Sequence, residues 1–279
     1  MPWLPELFTA PVLQRILDER RRDTLLAVPY FDGLLAGDPD PLVESFAGEP
    51  EVFDPVRGRV KGVRAFRAFV TETSAWLQEH HATVDEIEHV ILERRGFEEV
   101  VVHLDTDAGT ADLPVAVVAE RRPDGRIDEV RVYFTSRPLT GRRRDRPPLL
   151  QTDADLRLPD VVDAYRRALA AGDVDGVVAA FEPDGYVREA TAEEVHRAPT
   201  GLSGFYAGLL SRGGILLEPC AFVDDGRVCA LEYNDSRSGT TPLSAGAGLA
   251  VFLRGGSGRL AAVRVYDETV RRSQPWNDA

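Results

Sequence analysis

Tyr30-Phe31-Asp32-Gly33-Leu34-Leu35-Ala36-Gly37-Asp38 and, 135 residues on, Tyr165-Arg166-Arg167-Ala168-Leu169-Ala170-Ala171-Gly172-Asp173 share a tyrosine, a Leu and an Ala-Gly-Asp stop. In each copy a phenylalanine, Phe46 or Phe181, follows eight residues after the Asp. A second stretch, Gly125-Arg126-Ile127-Asp128-Glu129-Val130-Arg131-Val132-Tyr133, returns as Gly258-Arg259-Leu260-Ala261-Ala262-Val263-Arg264-Val265-Tyr266 at an offset of 133, with six of nine residues kept. Between them Phe66 matches Phe205 at an offset of 139. Collinear matches at nearly constant spacing mean one domain written twice, with small loop insertions between the copies.

Each copy opens with a helix, since Val161, Val162, Tyr165, Ala168 and Leu169 recur at three and four. Gly then suits the helix end and Asp the start of the next helix. A short strand and a helix around Phe66–Phe69 or Phe205–Leu210 follow. In the first copy come strands over Val84–Leu92, Val100–Leu104, Leu113–Ala119 and Ile127–Phe134. Helices followed by a meander of strands give an α+β class. The expected organisation is an N-terminal helical extension (1–23), a first domain (24–140), a linker (141–157) and a second domain (158–273). The linker's basic run, Gly141-Arg142-Arg143-Arg144-Asp145-Arg146-Pro147-Pro148, reads as a solvated connector.

The 279 residues carry 33 Lys+Arg against 46 Asp+Glu, a formal net charge of -13, which argues against a phosphate-binding surface and so against a nucleic-acid partner. A membrane span is not expected, because no long uncharged apolar stretch exists. Met1-Pro2-Trp3 runs into Glu6 without a basic, then apolar, leader, so a cytoplasmic, soluble protein is expected. No His/Cys/Asp set has metal-ligand spacing, and Gly246-Ala247-Gly248 lies between strands rather than opening a helix, so neither metal nor cofactor is implied. Cys220 and Cys229 are expected to point to different faces and stay reduced.

These motifs, with Val52-Phe53-Asp54-Pro55-Val56 before a Gly and a Phe-rich helix, resemble the NTF2-like superfamily, nearest to its SnoaL-like polyketide cyclases and ketosteroid isomerases. The resemblance covers about residues 24–138 and 158–271. It implies two tandem cones, each a curved sheet wrapped by three helices around one deep pocket, packed sheet to sheet as an intramolecular pseudo-dimer that can be monomeric in solution. It further implies cofactor-independent acid/base chemistry (cyclisation, isomerisation or epoxide opening) on a small apolar or polyketide-like molecule. The alternative is a non-catalytic binding or scaffolding module, because this fold hosts many functions.

By the resemblance, Asp54 stands where the isomerases carry their general base, and its counterpart is Glu189. Tyr30 and Tyr165 match a first-helix tyrosine that donates to a developing oxyanion. The isomerases' second, protonated Asp falls on Val117 in one copy and Ala250 in the other, so that element is missing. Another constellation comes from the central hairpins. If their turns centre on residues 96 and 225, His89 faces His103 and Glu218 faces Glu232. Polyether epoxide-opening cyclases resemble such a two-acid plan, with Glu189 and Glu218, or Asp54 and His89, in the two roles. The strand around Glu218 is apolar on both faces, so a second sheet must cover one of them, and Glu218 is equally a candidate interface residue.

Overall fold

The computed structural model describes residues 30–106, 109–140, 146–190, 195–238 and 241–267. The expected N-terminal extension and the basic run through Asp145 lie outside them. The first half runs α1 (Tyr30–Ala36), α2 (Pro39–Glu44), β1 (Glu51–Asp54), β2 (Gly58–Lys61), α3 (Val63–Glu79), β3 (Thr83–Ile91), β4 (Arg95–Thr106), β5 (Gly109–Arg121), β6 (Ile127–Tyr133) and α4 (Arg137–Thr140). The second runs α5 (Asp160–Ala171), α6 (Val174–Ala179), β7 (Phe181–Arg188), β8 (Val195–Arg197), α7 (Thr200–Leu209), β9 (Ile215–Asp224), β10 (Val228–Ser238), β11 (Thr241–Arg254) and β12 (Leu260–Asp267).

The two sheets have the same order, β2-β1-β6-β5-β4-β3 and β8-β7-β12-β11-β10-β9. In each, the first strand joins the last in parallel and the other pairings are antiparallel. The repeated Ala-Gly-Asp explains the two helical corners. Gly37 and Gly172 adopt φ of +69° and +73°, which side chains disfavour. Asp38 and Asp173 then cap α2 and α6, accepting from the backbone N–H of Asp40 and Gly176.

Three apolar cores result, one inside each cone and one between the sheets. Alternation along β5 divides them: Leu113, Val115, Val117 and Ala119 face the first cone, while Ala116 and Val118 face the second half. Phe97, Val118 and Val90 meet Val228, Leu249 and Val251 across the interface, so the sheet-to-sheet pseudo-dimer lies within this one chain.

The Val-Arg-Val-Tyr repeat organises that interface. Arg131 donates through Nε and Nη2 to the two carboxylate oxygens of Glu232 at 2.6 and 2.8 Å, and the Tyr133 hydroxyl donates to Oε1 at 2.7 Å. In the mirror arrangement, Arg264 Nη2 donates to Glu99 Oε2 at 2.6 Å, and the Tyr266 hydroxyl donates to Glu99 Oε1. Arg188 adds a contact to Glu99 Oε1 at 3.3 Å. All three pairs of counterparts, 131/264, 133/266 and 99/232, are 133 residues apart, so the contact is a two-fold one made by one chain.

Arg146, the only arginine of the basic run within the described residues, is anchored to the fold rather than solvated. Arg146 donates to the carbonyls of Val132 and Phe53 at 2.6 and 2.9 Å and lies over the Tyr133 ring. Its own carbonyl accepts from Ala247 N, and Leu150 O accepts from Asn234 Nδ2 at 2.9 Å. Unsatisfied carbonyls where β1 leaves β6 are what draw the guanidinium inward.

Removing one partner of a buried ion pair strands the other. Arg131→Met is therefore expected to cost about 3–5 kcal/mol, read as a lower urea midpoint, while Arg131→Met with Glu232→Leu recovers most of the loss.

Candidate active site

A cavity of about 480 Å³ opens inside the first cone, walled by Leu34, Phe69, Leu77, Val115 and Val132 among others. Asp54, at the end of β1, and Tyr30, at the start of α1, both line it. At its rim Arg57 and Glu72 form an ion pair of 2.8 Å with side chains 51% and 55% exposed, a pair of little energetic weight that a ligand can part.

Asp54 is fixed by its own loop, as an Asp before Pro often is. Its Oδ1 accepts from the N–H groups of Val56 and Arg57 at 2.8 and 2.7 Å, so Oδ2 is the oxygen left to take a proton. Burial raises its pKa against the opposing pull of those bonds and of Arg146 and Arg57. The Tyr30 hydroxyl is buried without a hydrogen-bond partner. Burial, then the charges of Asp54 and Glu98, hold its pKa well above the usual phenol value.

Glu98 was not anticipated from sequence. It stands directly opposite Val117 in the β4–β5 ladder, on the cone-facing side of the sheet. It is 6% exposed with Oε2 unpartnered, and burial together with Glu86 pushes its pKa up to about 7. The available signal was a lone carboxylate at a cone-facing position of an apolar strand. The group comes from β4, the strand beside Val117 on β5.

The second cone is built differently at the same positions. The rungs Val52–Val60 and Val187–His196 are equivalent, which places Leu202, Phe205 and Tyr206 at the positions of Phe66, Phe69 and Val70. The sequence match of Phe66 to Phe205 is thus one helical turn out of register; burial agrees, since Phe66 and Leu202 are both 0% exposed. Tyr206, in place of Val70, meets the Tyr165 hydroxyl at 2.9 Å, and Phe181 and Phe252 pack on the Tyr165 ring. Glu98 is replaced by buried Leu231. Glu189 meets His196 Nε2 at 2.8 Å, and His196 stacks on Phe205.

Neither expected hairpin pairing forms. The first hairpin turns at Glu93-Arg94, closed by Leu92 N to Arg95 O, because that charged tip is solvated while Gly96 and Phe97 are buried strand residues. His89 therefore opposes Glu98, and His103 opposes Thr83. His89 is exposed and bonded to Glu86 at 2.6 Å. His103 is exposed between Asp112 and Asp85, whose hydrogen bonds raise its pKa. In the second hairpin the turn centres on Gly226-Arg227 rather than Asp225, which sets Glu232 against Ala221, and after a bulge Glu218 lies against Asn234. Glu232 is the buried interface carboxylate, and Glu218, alternate to cone-facing Leu217, points away from the cone. Among the described residues no cluster suits a metal ion, and no helix is long and apolar enough to cross a membrane. Cys220 and Cys229 are free thiols.

The sheet order and wrapping helices make each half an NTF2-like cone, present twice in tandem. No family model and no curated protein matches the sequence. Among solved structures, a predicted polyketide cyclase from Sinorhizobium meliloti is similar at 23% identity and TM-score 0.34, over 39% of this chain and 94% of that one. A protein of ketosteroid isomerase-like fold from Catenulispora acidiphila, in complex with trimethylamine, matches at 17% identity and TM-score 0.35 over 39% and 86%. The epoxide hydrolase/cyclase-like enzyme SalBIII, of pyran ring formation in the polyether salinomycin, matches at 19% and 0.31 over 43% and 87%.

The raised carboxyl pKa values have a definite thermodynamic sign. Below about pH 4.5 Glu98 is protonated folded or unfolded; between 4.5 and about 7 only the unfolded chain ionises, so stability falls as pH rises. From pH 5 to 8 the Glu98 share is about 2–3 kcal/mol. Urea midpoints at the two pH values are expected to diverge in the natural protein and to draw together in Glu98→Gln, with Asp54 and His103 leaving a residual fall of the same sign.

Proposed function

We propose that the first cone is an acid/base site for a small, largely apolar, polyketide-like molecule, and that its chemistry is cofactor-independent cyclisation, isomerisation or epoxide opening. One observation carries this reading: a cavity of about 480 Å³ is lined by both Asp54 and Tyr30, and the Tyr30 hydroxyl is buried with no protein partner. The volume falls in the range of ordinary small-molecule sites. Asp54 Oδ2 takes a proton from a C–H or O–H of the substrate. The dry walls strengthen that transfer, because a carboxylate of raised pKa is a better base near neutrality. Tyr30 donates its hydrogen bond to the oxygen on which charge develops, without bringing a charge into the cavity. The second cone, whose tyrosine is already bonded to Tyr206, serves as the partner that closes the first sheet's outer face.

A non-catalytic binding module is the second reading, favoured by the two loop bonds on Asp54 Oδ1, which suit a turn residue as well as a base. A panel of β,γ-unsaturated ketones, hydroxy-epoxides and poly-β-ketones, with 2-naphthol as a fluorescent binding probe, separates the two. Catalysis predicts that Asp54→Asn lowers turnover about 10²–10⁴-fold while 2-naphthol still binds. Binding without turnover of any panel member favours the module. Val70→Tyr, which copies the second cone, is expected to engage Tyr30 and weaken 2-naphthol about tenfold, and Tyr206→Val to leave it unchanged.

A further inference from the structure

Glu98 is a buried carboxyl that the second cone does without. Its equivalent in the second cone, Leu231, fills the same place with an apolar side chain that is 0% exposed. Glu98 itself is 6% exposed, with Oε2 unpartnered. An unsatisfied buried carboxyl oxygen is costly, so a position that tolerates leucine keeps it only at a loss of stability. The contacts that Glu98 does make lead to the cavity. The backbone N–H of Tyr30, first residue of α1, hydrogen-bonds to its carboxyl, and its charge acts on the Tyr30 phenol alongside that of Asp54.

We propose that Glu98 is a positioning residue of the first cone, a carboxyl that holds the first turn of α1 and sets the local field at the Tyr30 hydroxyl. The inference rests on Tyr30 being a working group of that cavity. When Glu98 is neutral, Tyr30 is free to donate to an oxygen that gains negative charge. When Glu98 is ionised, a second negative charge beside Tyr30 opposes that oxygen and weakens the donor. The groups facing Glu98 are Tyr30 and Asp32 on α1 and Glu86 and His89 on β3; Glu86 and Asp32 favour its neutral form and His89 the charged one. Burial, the largest influence, places the change near pH 7.

The full chain labelled with ¹³Cζ-tyrosine tests this without a substrate. It has seven tyrosines, so the Tyr30 resonance is identified by its loss in Tyr30→Phe. The Tyr30 signal is expected to shift with a midpoint near pH 7, to lose that step in Glu98→Gln, and to move to a lower midpoint in Glu86→Gln. Because Glu86 is on the edge strand β3 and exposed, its variant keeps the test valid should Glu98→Gln fail to fold. His89→Gln is the control for the neighbouring imidazole, which opposes Glu98 in the β3–β4 ladder. A step that survives Glu98→Gln, or that vanishes in His89→Gln, or a midpoint unmoved in Glu86→Gln, overturns the proposal. Binding of 2-naphthol is read separately: expected to weaken between pH 6 and 8 in Asp54→Asn and to stay constant in Asp54→Asn combined with Glu98→Gln. Absence of 2-naphthol binding at every pH, with the Tyr30 step intact, would count against the cavity as a working site and not against the link between Glu98 and Tyr30.

Discussion

Two glutamates buried between two sheets, each gripped by an arginine and a tyrosine from the opposite half, constrain everything else in this chain. Glu99 and Glu232 are 0% and 2% exposed, and neither could be left ionised there without its guanidinium partner. Because the donors sit on β6 and β12, the last strand of each sheet must lie across the other sheet at one register. That register fixes which side of β4, β5 and β6 looks outward to the partner and which looks inward to the cone. The cavity wall is thus a by-product of the interface, formed by whatever residues alternate with the ones that pair.

Glu98 and Glu99 show how sharp that division is. They are adjacent on β4, yet Glu99 meets two arginines and a tyrosine while Glu98 has a backbone N–H and an empty oxygen. One carboxylate is compensated by charge and serves assembly. The other is raised by burial and stands beside the tyrosine of the cavity. A shift of one residue along a strand separates the two roles, as the period of two requires.

Much of the architecture was legible because it depends on local pattern. The repeated Ala-Gly-Asp reports a left-handed glycine and a capping carboxylate, and the Val-Arg-Val-Tyr copies report a strand inside a repeat. Asp54 and Tyr30 were legible as cavity residues through the motifs around them. Hairpin partners were not, because they depend on turn placement: a tip at Glu93-Arg94 rather than Gly96 displaces His89 from His103, and a tip at Gly226-Arg227 rather than Asp225 displaces Glu218 from Glu232. Nor does alternation say which face is cone and which is partner when both are covered. Glu232 looked like a candidate acid and is an interface anchor, whereas Glu98 lay hidden in an apolar strand.

Val70 and Tyr206 occupy one position in two copies, and only the second engages its tyrosine. In a pair of identical subunits every substitution is written into both, so a residue that plugs one chamber plugs the other. Joining the copies in one chain lifts that restriction. One chamber can be filled for rigidity while its twin stays hollow, and the two halves are free to drift toward different tasks while the salt-bridged seam between them keeps its symmetry.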